Sequence, residues 1–188
     1  MAKRQVDPAT TLYPVPVVLV TCQRPGDKPN VITIAWSGTV CSEPPMLSIS
    51  IRPGRYSHPI VKETGEFVAN IPTEDVLRVT DVCGTVSGRN EDKFALTGLT
   101  AEPATKVRPP LIAECPVSLE CKTREVITLG THDMFVAEIV AQHVDENLLD
   151  EHGNLDYAAL RPICFCPAEY WNLGTRVGTY GFSKGKME

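Results

Sequence analysis

The 188 residues suit one domain with a substantial core, and 43% hydrophobic with 22% charged residues is the balance of a soluble globular chain. A net charge of -5 and a pI near 5.4 argue against a nucleic-acid partner, which calls for a basic face. No stretch approaches the roughly 20 apolar residues that span a bilayer, so no membrane role is expected.

From the start of the chain, Met1–Asp7 carries basic residues but no apolar h-region follows, which predicts a cytoplasmic protein. Seven scattered cysteines then read as free thiols in a reducing compartment. Val15–Cys22 and Val31–Trp36 are β-branched runs joined across a Pro25-Gly26 turn, a hairpin pattern. Met46–Arg52 alternates polar and apolar residues with period two, as a strand does. Ser57–Thr64, stopped by Gly65, predicts a short helix, and Phe67–Ile71 a strand. Thr73–Cys83 is the strongest helix, with Thr73 as N-cap, Glu74 and Asp75 in the first turn and Gly84 just past its end. Asn90–Thr97, stopped by Gly98, is a third helix, and Val117–Ile127 a further strand. His132–Val144 sets Met134, Val136 and Val140 on one face against Phe135, Ala137 and Ile139 on the other, which predicts burial on both. Many short strands with few helices predict a mainly β chain: a closed barrel with helices covering its ends, one domain over 1–188.

The common nucleotide, metal and hydrolase signatures are absent. There is no GxGxxG between strand and helix, no GxSxG elbow, and Gly84–Lys93 lacks Walker spacing. Cys164-Phe-Cys166 and the Cys115/Cys121 pair lack the second half of a zinc site. Asp150, Asn154 and Asp156 read as an acidic turn, since His152 and Gly153 break the calcium-loop pattern.

Three stretches stand out instead. Thr33 to Ser42 sets hydroxyls and a thiol among small residues, which suits either close approach of a planar ligand or a strand end facing water. Ser50-Ile-Arg52 and Arg55-Tyr-Ser57-His58 place arginines and a hydroxyl at a helix start, either an anion site or an ordinary N-cap. Thr85, Ser87, Arg89 and Lys93 repeat that chemistry between two helices. Together, two such clusters in an acidic chain suggest a small ligand bearing phosphate.

These stretches also carry a resemblance. Asn30-Val-Ile-Thr-Ile-Ala-Trp-Ser-Gly-Thr-Val-Cys-Ser-Glu-Pro-Pro-Met46, Ser48–Ser57, Thr64–Pro72, Cys83–Arg89, Asp92–Phe94, Leu129–Phe135 and Glu169–Gly174 follow one another as in the flavin reductase-like, flavoredoxin-type proteins. The resemblance implies an FMN-binding split barrel, usually a homodimer with the flavin near the subunit interface. By that analogy Thr33, Ile34, Ala35, Trp36 and Ser37, with Cys41 and Ser42, line the isoalloxazine and ribityl chain. Ser50, Ile51, Arg52, Tyr56, Ser57 and Lys93, with Ser87, surround the phosphate. His132 matches the nicotinamide-side histidine, here in the form Gly130-Thr-His-Asp133 rather than Gly-Asp-His.

The implied activity is NAD(P)H-dependent flavin reduction, with hydride passing from NADH or NADPH to FMN and electrons leaving to a second flavin or a redox partner protein. An electron carrier without a nicotinamide site and a non-catalytic ligand-binding barrel are the competing readings.

Overall fold

In the computed structural model, which describes residues 1–184, the first β-branched run divides at Val17 into β1 (Val15–Pro16) and β2 (Val18–Cys22). The turn at Pro25-Gly26 returns the chain as β3 (Asn30–Ile34), antiparallel to β2 with Val18 opposite Ile34 and Cys22 opposite Asn30. β3 ends two residues before the predicted bound. Ala35 and Trp36 instead form a corner, closed by Ser37 N–H on the Ala35 carbonyl at 3.0 Å. The chain then runs as β4 (Ser37–Cys41) and β5 (Met46–Ile51), whose alternating burial follows its period-two sequence.

Helix α1 (Ser57–Thr64) has the predicted bounds and closes on Gly65 at φ +69°, a left-handed cap that favours glycine. It is followed by β6 (Glu66–Ile71). The predicted Thr73–Cys83 helix is corrected at both ends. A 3-10 turn over Glu74–Val76 leads into α2 (Leu77–Thr85), and Thr73 makes no side-chain cap because its backbone bridges to Pro162. Gly84 lies within α2, since a side chain there would press on Thr33 with its Cβ 3.3 Å from the Thr33 Cβ. α3 (Lys93–Thr97) starts later than Asn90, as the N–H groups of Asn90 and Glu91 are held by the Ser87 carbonyl and Asp92 is the N-cap.

A small ribbon, β7 (Ala101–Glu102) with β8 (Leu111–Ile112), precedes the long hairpin β9 (Val117–Leu129) and β10 (His132–Val144). The chain closes with α4 (Tyr157–Leu160), β11 (Ile163–Cys166) and β12 (Glu169–Asn172), none of which the sequence pattern predicted. Seven strands form one antiparallel sheet in the order β3-β2-β6-β9-β10-β5-β4. The sheet curls into a half-barrel rather than a closed one, so β3 and β4 remain its edges and meet at the Ala35-Trp36 corner. β1 instead pairs with β11, which carries β12 on its other side.

The barrel interior is filled by Val20, Ile32, Ile49, Ile51, Phe67, Phe135 and Ala137. A second cluster, including Leu19, Val31, Cys83 and Ile112, packs α2 and α3 against the other face of β2 and β3. β10 departs from the prediction of burial on both faces. Asp133, Phe135 and Ala137 are buried, whereas Met134, Val136 and Val140 are only half-buried. All seven cysteines are free. Among the described residues no helix is long and apolar enough to cross a membrane.

Candidate functional site

β3 is a sheet edge, so alternate main-chain groups along it have no strand partner. The Val31 carbonyl points away from β2 and accepts from the buried Lys93 ammonium at 2.9 Å. Thr33, two residues on, offers its N–H and C=O along the same edge. A groove follows that edge in two chambers that share Ile32 and Arg55.

The first chamber, about 170 Å³, lies at the corner between β3 and β4. Thr33, Ile34, Ala35 and Trp36 form one wall, Ser50, Ile51 and Arg52 another, and His132 and Phe165 complete it. The corner is rigid, because the Trp36 carbonyl accepts from Ser50 N–H at 2.8 Å and Thr33 Oγ1 donates to the Thr80 carbonyl. His132 is half-buried at the start of β10, with Nδ1 2.9 Å from Thr131 Oγ1. Burial and the nearby Arg52 push its pKa below the ordinary histidine value, which leaves the ring neutral at pH 7. The next residue, Asp133, faces the opposite way and accepts from His58 Nε2 at 2.9 Å and Lys62 Nζ at 3.2 Å. The His58 hydrogen bond is the main reason the Asp133 carboxyl lies below its usual range. This pairing ties the start of β10 to α1.

The second chamber, about 80 Å³, lies where Tyr56 and Ser57 begin α1. Gly84, Ser87, Gly88 and Lys93 face them from the α2–α3 side. Asn30 Nδ2 donates to Ser57 Oγ at 2.7 Å, and Lys93 Nζ donates to the Cys83 carbonyl at 2.7 Å. Burial pushes the Lys93 ammonium below the ordinary lysine value. Gly88 packs so tightly that a Cβ would stand 2.1 Å from Asn30 Oδ1 and 2.8 Å from Tyr56 Cδ1. We expect Gly88→Ala to displace Asn30 and Tyr56 at a cost of about 1–3 kcal/mol. Thermal unfolding should show this as a Tm lower by roughly 2–10 °C, whereas an unchanged Tm would mean that this wall yields freely.

The structure thus separates groups that the sequence reading had joined. Ser50, Ile51 and Arg52 stand with Trp36 in the first chamber and do not line the second, which holds Tyr56, Ser57, Ser87 and Lys93. Ser37 lines a neighbouring apolar pocket with Val18, Leu47 and Ile49, where its buried hydroxyl has no partner. Cys41 and Ser42 line neither chamber, because β4 runs away from the corner and Cys41 pairs with Met46 at the far end of the hairpin. Asn30, Gly84, Gly88 and Phe165 line the groove without having been assigned to it, whereas Arg55, grouped by sequence with the anion-site candidates at the start of α1, lines both chambers. Phe165 arrives on β11 with no local signal.

The flavin reductase like domain family matches residues 10–174. A protein of Archaeoglobus fulgidus is 36% identical over 146 residues, 78% of this chain and 81% of its own length. Among solved structures, flavoredoxin of Desulfovibrio vulgaris (Miyazaki F) is 35% identical, with a TM-score of 0.90 and coverage of 98% of this chain and 100% of that one. Flavoredoxin from Methanosarcina acetivorans is 29% identical, with a TM-score of 0.89 over 98% of each chain. A family match across most of the chain, joined to the curled seven-stranded sheet that these structures share, places the protein in the flavin reductase like domain family.

Proposed function

We propose that the groove binds FMN and that the protein is an oxidoreductase whose flavin is reduced by NADH or NADPH. The observation that carries this reading is the joining of an unpaired strand edge to a buried, basic and hydroxylic chamber. Lys93, Ser57, Ser87 and Arg55 would hold the phosphate, and the absence of a side chain at Gly88 lets Asn30 and Tyr56 close up against it as the chamber's wall. The main chain of Thr33 would serve the polar edge of the ring, with Ile34 and Trp36 as its apolar wall. Bound FMN supplies the electron and hydride chemistry. The chain's own residues hold, orient and shield it.

His132 is the residue of the first chamber suited to place a nicotinamide, because its neutral ring can accept or donate one hydrogen bond without adding charge. His132→Ala is expected to slow flavin reduction by NADH or NADPH about 100-fold with little change in FMN affinity. Stopped-flow bleaching at the flavin band measures the rate, and unchanged kinetics would remove the nicotinamide role.

A flavoredoxin-type electron carrier is the second reading, favoured by the 35% identity to flavoredoxin. Anaerobic addition of each nucleotide separates the two. Bleaching supports the reductase, while bands that persist until dithionite is added support a carrier fed by a redox partner protein. The half-buried Met134, Val136 and Val140 on the outer face of β10 support a homodimer, which light scattering tests directly. The seven free thiols fit the reducing cytoplasm.

A further inference from the structure

The start of β10 turns inward a side chain that would otherwise belong in water. Asp133 pairs with Ile51 of β5 and Thr128 of β9, and its buried carboxylate precedes Phe135 and Ala137 on the inner face of the strand. An ionised carboxylate is held in such a place only by donors that replace its water. Here they come mainly from α1. His58 Nε2 lies 2.9 Å from Asp133 Oδ2 and Lys62 Nζ 3.2 Å from it, the two residues standing one turn apart on the same face of the helix. Thr128 adds a side-chain hydrogen bond from β9. His58 is itself fixed, being buried with its ring edge-on to Phe135 and the ring centroids 5.5 Å apart.

Side chains alternate along a strand, so the inward turn of Asp133 decides where its neighbour goes. His132 is sent to the outer side, where Ser50 and Arg52 also line the first chamber. Thr131 Oγ1, 2.9 Å from His132 Nδ1, belongs to the same hairpin turn and moves with it, so it cannot fix the ring to the rest of the barrel. The side-chain tie from this turn to α1 runs through Asp133.

We propose that His58 and Lys62, acting through Asp133, are positioning residues that present His132 to the first chamber; the kinetic consequence rests on the nicotinamide reading above. None of the three lines either chamber. Loss of the tie lets the start of β10 rotate, and the His132 ring leaves the chamber wall for solvent.

His58→Phe keeps a ring against Phe135 and removes the donor, while His58→Gln returns an N–H donor. The His132 titration is followed by NMR of its ring protons, without flavin or nucleotide. In H58F it should rise from its depressed position to the ordinary value of about 6.5, with H58Q restoring the wild-type position. Flavin bleaching by NADH or NADPH should slow about tenfold in H58F, with the FMN Kd kept within about twofold. In a His132→Ala background H58F should slow nothing further, because it acts through that ring. A lower Tm with the His132 titration unmoved would overturn the inference, as would equal slowing by H58F with and without His132. If H58F does not fold, Lys62→Met, on the exposed side of the pair, takes its place. A smaller rise in the His132 titration is then expected, and no rise overturns the inference. A wild-type flavin that neither nucleotide bleaches removes the nicotinamide reading alone, and the His132 titration then decides the positioning role by itself.

Discussion

Replacing Glu120 with alanine is expected to lower the unfolding free energy by about 3–5 kcal/mol. Glu120 lies on β9 with its side chain fully buried. Oε1 accepts from Thr105 N–H and Oγ1, both at 2.8 Å, and from His143 Nε2 at 2.6 Å. Oε2 accepts from Lys106 N–H and from Val107 N–H. One carboxylate therefore satisfies the main chain of three successive residues in the loop between β7 and β8. Removing it leaves those donors without a partner, and each costs about 1–3 kcal/mol if it stays buried. Urea denaturation with an unchanged m-value would report the loss, and a loss below about 1 kcal/mol would show that the loop simply resolvates.

The same carboxylate sets an acid limit. Burial alone would raise the Glu120 pKa, but hydrogen bonds from Thr105, His143 and Lys106 outweigh it and hold the value at about 2. Because the folded value lies below the unfolded one, the contribution is complete above the ordinary glutamate range and disappears as pH falls towards about 2. The stability gap between the wild-type protein and E120A should therefore narrow across that window. A gap independent of pH would show that the carboxylate does not carry the difference.

Lys93→Met is expected to weaken FMN binding about 10- to 150-fold, the worth of one charge-assisted contact to phosphate. Methionine keeps the volume of the stem and loses the ammonium, so the variant reports charge and donors rather than packing. The Val31 and Cys83 carbonyls also lose their donor, which should cost about 1–3 kcal/mol of stability without flavin present. Dialysis at two salt concentrations measures the first effect and thermal unfolding the second. Stability lost with FMN affinity intact would make Lys93 a purely structural residue and move the phosphate elsewhere.

Strand positions were legible in the sequence because period-two alternation and β-branching are local. Met46–Ile51 and His132–Val144 lie within a residue of where their patterns place them. Helix bounds were less legible wherever a distant partner competed for the backbone. Thr73 bridges to Pro162 instead of capping, and Ser87 captures the two N–H groups that would have started α3 earlier. The late elements β11 and β12 escaped notice because four-residue strands carry too little pattern.

The sequence by itself determined the strand-rich class, the free thiols, and most of the groove: Thr33–Trp36, Tyr56, Ser57, Ser87, Lys93 and His132 all line it. Only the tertiary structure decided which residues meet. It sent Cys41 and Ser42 away, separated Arg52 from Lys93, brought Phe165 in from β11, and opened a third cavity beyond Gly88. The reason is physical. Residue type and local spacing fix what a segment can form and what chemistry it carries, whereas strand order, the corner at Ala35-Trp36 and the close approach at Gly88 depend on contacts between segments far apart in the chain.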